Sequence, residues 1–154
     1  MSKLTLQMEG DRHVVVTRRL AAPPEAVYRA HTDPTLIRKW MLGPEGWTMP
    51  ECICEVRPGG KIRYVWANDK GSGFHLTGEF IELEPPRRIV HVERMHLPDP
   101  TPDNHVETVF RPDGEGTLMT MRMTLPDIET RTRMLSSGME RGMESSYARL
   151  ESTI

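Results

Sequence analysis

From Pro126 to the end of the chain, apolar and small residues recur with the period of an α-helix. Ile128, Leu135, Met139, Gly142, Met143, Ser146 and Leu150 fall on one face at about 3.6 residues per turn. Glu129, Arg133, Glu140, Glu144 and Glu151 occupy the other face. Pro126-Asp127 supplies a start signal, so the pattern predicts one long amphipathic helix from about Ile128 to the last residues. An apolar stripe of that length needs a surface to bury it. Gly142 and Ser146, one turn apart on the stripe, remove side-chain volume where a filled core would place leucine. Either a strand backbone approaches there or a cavity is left.

The partner surface is written in the middle of the chain. Turn clusters at Pro58-Gly59-Gly60, Asn68 to Gly73, Pro85-Pro86, Pro98 to Asn104 and Pro112 to Gly116 divide it into short segments. Between them lie Cys52 to Arg57, Lys61 to Ala67, Phe74 to Glu84, Arg88 to His96, His105 to Arg111 and Thr117 to Leu125, all of strand length. Consecutive strands joined by tight turns form an antiparallel meander. The β-branched run Val14 to Thr17 adds a seventh strand ahead of them. Two short helices follow it, Glu25 to His31 behind Pro23-Pro24 and Thr35 to about Met41 with Asp33 as cap. The expected architecture over residues 1–154 is one α+β domain, a curved seven-stranded antiparallel sheet wrapped around the long C-terminal helix.

Side-chain alternation gives the sheet an inner face. Ile62, Tyr64 and Trp66 share one side of their strand and Lys61 and Arg63 the other. Met119, Met121, Met123 and Leu125 repeat the pattern, as do Phe74, Leu76, Gly78 and Phe80. After Phe80 the apolar parity switches to Ile81 and Leu83, which predicts a bulge. Cys52 and Cys54, two apart, point to the same face, a geometry that disfavours a mutual disulfide. None of the six histidines stands at paired spacing near a cysteine, so both thiols are read as free strand residues with no metal. Strand residues that could bring polar chemistry inside are Tyr64, Glu79, His91, Glu93, Glu107 and Arg122, though most of them are expected to face solvent, and His31 and Tyr147 read as helix-flank residues. The sequence carries no nucleophile elbow, phosphate loop, metalloprotease helix or dinucleotide fingerprint, and no catalytic residue or cofactor is assigned.

Composition excludes several partners. A net charge of -2 with 27% charged residues supplies no basic stripe for nucleic acid. No apolar run approaches the roughly 20 residues that span a bilayer, and the N-terminus turns polar before a signal-peptide core forms, so a cytoplasmic location is expected. Eleven methionines against three phenylalanines favour an adaptable interior.

The order of elements resembles the START-like (SRPBCC) helix-grip superfamily, and the local text resembles its branch named for the Activator of Heat-Shock-Protein-Ninety ATPase. The resemblance is carried by TRRLAAPPEAVYRAHTDP at Thr17 to Pro34, by Trp40 with GPEGW at Gly43 to Trp47, and by VRPGGKIR at Val56 to Arg63. It continues in GEFIELEPPRRIV at Gly78 to Val90, GEGTLMTM at Gly114 to Met121 and SSGMERGMESSYARL at Ser136 to Leu150. It implies a hydrophobic cavity between sheet and long helix. Trp40, Trp47, Ile62, Tyr64, Trp66, Phe80, Met119, Met121, Leu135, Met139, Gly142 and Met143 are the residues expected to meet a ligand there. The expected function is binding of a small hydrophobic or aromatic molecule. The alternatives are a chaperone-ATPase cofactor acting through its surface, or a cyclase or hydrolase acting on a cavity-bound aromatic compound. The chaperone-activating role is implied for eukaryotic relatives with an additional N-terminal domain, for which this chain has no room; a homodimer stays open.

Overall fold

The computed structural model describes residues 3–154. Eight strands, β1 (Thr5–Glu9), β2 (His13–Leu20), β3 (Trp47–Cys54), β4 (Lys61–Asn68), β5 (Gly73–Glu84), β6 (Arg88–His96), β7 (Asn104–Asp113) and β8 (Gly116–Thr124), form one sheet. Its order is β1-β2-β8-β7-β6-β5-β4-β3, with every neighbouring pair antiparallel. Strands β3 to β8 are therefore the expected meander. The eighth strand, β1, was not anticipated. It is an edge strand held mainly by backbone pairing to β2, and only Leu4 just before it is fully buried while Met8 is exposed, so its alternation is weak.

The connection from β2 to β3 must travel from one side of the sheet to its far edge, and α1 (Pro24–Thr32) and α2 (Pro34–Trp40) make that crossing. Proline occupies the first helical position of each, where its missing N–H costs nothing. Asp33 caps α2 by accepting from the Thr35 N–H at 2.9 Å, as its position predicted. β3 begins at Trp47, five residues ahead of the predicted start, and the Cys52–Arg57 segment accordingly leaves the sheet at Cys54. The bulge near Phe80 is present as a register shift against β6 between Phe80 and Glu82. Leu83 packs inward behind it, while Ile81 is exposed.

The C-terminal helix is not continuous. It runs as α3 (Ile128–Leu135) and α4 (Met139–Thr153), separated at Ser136–Gly138. Ser136 Oγ donates to the Thr132 carbonyl at 2.8 Å and Ser137 Oγ to the Met134 carbonyl at 2.6 Å, so both hydroxyls compete for helix acceptors. Gly138 then adopts φ +82°, a left-handed conformation that glycine enters without penalty. Arg131 docks α3 on the β1–β2 turn, its Nη1 donating to the Gly10 carbonyl at 2.7 Å.

The helix α4 lies across the concave face. Its Tyr147 and Leu150 are buried, and Val14, Val16, Leu20, Val27, Phe110 and Met119 form fully enclosed core. Glu144 and Glu151, placed on the solvent side by the periodicity, instead grip Arg18 of β2, a guanidinium 2% exposed. A buried cation of this kind persists only when paired and hydrogen-bonded.

Candidate functional site

Alternation on β4, β5 and β6 sends Ile62, Tyr64, Trp66, Phe74, Leu76, Phe80, Ile89 and Met95 to the concave face, beneath α4 and the segment after α2. The space between is a cavity of about 650 Å³. Gly142 of α4 leaves part of that space open. A β-carbon added at Gly142 would meet no atom within 4 Å, and Gly142 borders the cavity. Of the two readings open for this glycine, the strand backbone is excluded and the hollow is found.

Ten of the twelve expected wall residues border the cavity: Trp40, Trp47, Ile62, Tyr64, Trp66, Phe80, Met121, Met139, Gly142 and Met143. Met119 does not. It has the right parity but lies toward the Thr117 end of β8, paired with Phe110 and fully enclosed in the solid core. Leu135 does not either, because α3 ends there and the chain turns before α4 begins; it packs against the core from outside the hollow.

The walls are anchored by hydrogen bonds whose donors are already committed. The indole N–H of Trp40 donates to the Ala30 carbonyl at 2.9 Å, and that of Trp66 to the Met41 carbonyl at 2.8 Å. Arg149 of α4 holds the segment after α2, donating to the Trp40 and Gly43 carbonyls at 3.0 Å each. Ser146 Oγ accepts the Gly43 N–H at 2.8 Å, which gives the second small residue of the stripe its role. Trp66 stacks on Phe74 with centroids 5.0 Å apart, and Trp47 meets the same ring edge-on at 5.3 Å.

Polar chemistry enters from two places. On β6, His91 and Glu93 both face the cavity and pair at 2.7 Å, Nε2 to Oε1. On the helices, His31 of α1 stands against Tyr147 of α4, Nε2 to hydroxyl at 3.4 Å. His31 Nδ1 donates to the Val27 carbonyl at 2.7 Å, since a carbonyl only accepts. Its ring sits 4.9 Å from Trp40 and 5.0 Å from Phe110. Burial pushes its pKa down to about 4, and the nearby His91 acts in the same direction. The imidazole is accordingly neutral near pH 7, with Nε2 free to accept from Tyr147. The ring's partial accessibility reflects its border with the cavity. Burial raises the ionisation of Tyr147 well above that of an ordinary phenol, with the Glu93 carboxylate adding to the effect.

Of the six strand residues weighed as polar candidates, the structure brings Tyr64, His91 and Glu93 to the cavity. The other three stand in ion pairs elsewhere: Glu79 with Arg94, Glu107 with Arg88, and Arg122 with Glu9. His31 and Tyr147 are not helix-flank residues. Their spacing held the signal, His31 standing four residues after Val27 and Tyr147 three before Leu150, each in phase with a fully buried residue. Cys52 and Cys54 are free thiols on β3. The Tyr64 phenol lies beside Cys54, whose pKa burial lifts to about 12; burial likewise lifts Cys52 to about 11. Among the described residues no three acidic, histidine or cysteine side chains gather where they could hold a metal ion, and no helix is long and apolar enough to cross a membrane.

A family profile described as Activator of Hsp90 ATPase homolog 1-like protein matches residues 21–154. Among solved structures, a Rhodobacter sphaeroides protein is 31% identical over 97% of each chain with a TM-score of 0.90. A Nitrosomonas europaea protein, 23% identical over 95% of this chain and 96% of its own, superposes with a TM-score of 0.82. An AHSA1-like protein from Aeromonas hydrophila, 20% identical over 90% of this chain and 92% of its own, gives 0.72. The last two show likeness of fold alone. Among proteins with curated descriptions, none is significantly similar.

Proposed function

Because the chain belongs to the Activator of Hsp90 ATPase homolog 1-like family, whose helix-grip fold supports a ligand-binding domain, we propose that it is a cytosolic binding protein for a small hydrophobic or aromatic molecule held between sheet and α4. One observation carries this reading: Gly142 faces open space in the middle of the buried helical stripe, over a cavity that all three tryptophans border. A cavity of about 650 Å³ lies within the size range of small-molecule sites, which run from roughly 300 to 1,000 Å³. Binding energy would come from burying apolar ligand surface at roughly 25 cal/mol per Å², with the aromatic walls fixing the plane of a flat molecule.

Two other readings keep a specific observation. The family description names chaperone-ATPase activation, which would work through the outer surface and would survive filling of the cavity. The His91–Glu93 and His31–Tyr147 pairs are ionisable groups inside an apolar hollow, as an enzyme on an aromatic compound would require. Solvent extraction of protein purified natively, with mass spectrometry of the extract, tests the preferred reading. A small apolar compound recovered from the parent and missing from Gly142→Leu supports it. A compound recovered equally from both places it outside the cavity.

A further inference from the structure

The groups facing the cavity are unequal in what they offer. Glu93 brings a carboxylate, which only accepts hydrogen bonds, and the proton on His91 Nε2 is already given to its Oε1 at 2.7 Å. His31 has spent its Nδ1 proton on the Val27 carbonyl, and Nε2 is an acceptor that takes the Tyr147 hydroxyl proton at 3.4 Å. These side chains form one neighbourhood: His91 lies near enough to disfavour charge on His31, and Glu93 near enough to disfavour ionisation of Tyr147. The indole protons of Trp40 and Trp66 are consumed by carbonyls. Among the described residues no lysine or arginine borders the cavity. Two guanidinium groups stand close by and both are committed: Arg149 to the Trp40 and Gly43 carbonyls, and Arg18, near enough to Tyr147 to favour its ionisation, to Glu144 and Glu151.

The remaining donors that face the hollow, such as the Thr108 hydroxyl and the Trp47 indole, are neutral. A neutral donor does not compensate an anion taken out of water, and a ligand carboxylate would also confront Glu93. A hydroxyl or ammonium group would instead find a carboxylate, a phenol oxygen and aromatic side chains, whose ring faces attract cations. We propose that the cavity selects aromatic ligands bearing a hydrogen-bond donor, a hydroxyl or amino group, held at Glu93 and Tyr147, and rejects carboxylates and phosphates. The inference rests on the ligand-binding reading and names the polar end of that ligand.

Four two-ring probes of nearly equal size test it: 2-naphthol, 2-naphthylmethylamine, 2-naphthoate and 2-methylnaphthalene, each titrated at pH 7 against the intrinsic tryptophan fluorescence. The expected result is that 2-naphthol and 2-naphthylmethylamine bind at least about tenfold more tightly than 2-naphthoate. In Glu93→Gln, 2-methylnaphthalene binds as in the parent while the preference of the amine over the carboxylate shrinks at least about threefold. If 2-naphthoate binds the parent as well as 2-naphthol does, the selectivity is overturned and the apolar site stands. If the preference is undiminished in a folded Glu93→Gln, Glu93 is not its source and the proposal fails. If no probe, 2-methylnaphthalene included, quenches saturably, the ligand-binding reading itself fails. The parent comparison decides the selectivity even where the variant does not fold.

Discussion

Arg18 on β2 and Glu144 on α4 are joined at two points, Nη2 to Oε2 at 2.8 Å and Nε to Oε1 at 3.0 Å, with the guanidinium buried. Glu144 Oε1 also accepts the Leu4 N–H at 2.7 Å, so one carboxylate ties the helix to the sheet and to the start of β1. The Arg18 hydrogen bonds hold its pKa below the usual carboxylate range. Glu151 supports the same guanidinium at 3.2 Å. Glu144→Gln should lower unfolding free energy by about 1–3 kcal/mol, less than full loss of a buried pair because Glu151 remains and Glu144 is partly exposed. Glu140→Gln, which touches none of these groups, should stay within about 0.5 kcal/mol of the parent. Urea denaturation of the two variants checks both.

Gly142 offers the corresponding test of the hollow. With no atom within 4 Å of a β-carbon there, leucine enters space rather than backbone. Gly142→Leu should fold and gain roughly 0.5–1 kcal/mol from helix propensity. It should also abolish binding of a neutral fluorescent probe such as 1-N-phenylnaphthylamine. Thermal unfolding and probe fluorescence on the same samples check this, and a destabilised variant would mean that the site is solid.

The legibility of the fold divides along physical lines. Tyr64 and Trp66 were assignable to the inner face because a strand's period of two leaves only two choices, and Met139, Gly142 and Met143 because one helical stripe is apolar. The break at Gly138 was not legible from periodicity, since Leu135 and Met139 stay four residues apart and in phase across it. Only Ser136-Ser137-Gly138 carried that signal. Met119 shows the complementary limit: parity selects a face but does not say where along the strand the hollow gives way to solid core. Glu79, Glu107 and Arg122 stand outside the cavity, as expected of most of the polar candidates, because charged residues on a sheet's outer face pair across strands, whereas His91 and Glu93 pair inside.

His31 makes the protein's stability depend on pH with a definite sign. Its folded pKa of about 4 lies below the 6.5 of a free imidazole, so the unfolded chain binds the proton more readily. The stabilisation from its neutral burial is complete above pH 6.5 and is lost progressively as pH falls toward 4. At most this amounts to roughly 3 kcal/mol. NMR titration of the His31 ring should give a midpoint near 4; a midpoint near 6.5 would show that the ring is solvated.

The cysteines should be slow to react. Burial holds Cys52 near 11 and Cys54 near 12, which leaves little thiolate at pH 8. Alkylation of the native protein should run about 100-fold or more slower than that of the unfolded chain, since the thiolate is the nucleophile. Equal rates in the two states would contradict the burial of β3's inner face.

If a small apolar molecule occupies the space under α4, the methionines report on it directly. Met41, Met95, Met121, Met123, Met139 and Met143 border the cavity, whereas Met8, Met49, Met119 and Met134 do not. Methyl NMR of protein labelled at the methionine methyls, titrated to saturation with 2-methylnaphthalene, distinguishes the two sets. The expected result is saturable shifts concentrated in the first six, with Met8 and Met49 unmoved. Shifts centred on exposed Met8, or no saturable shift at any of the six, would contradict it.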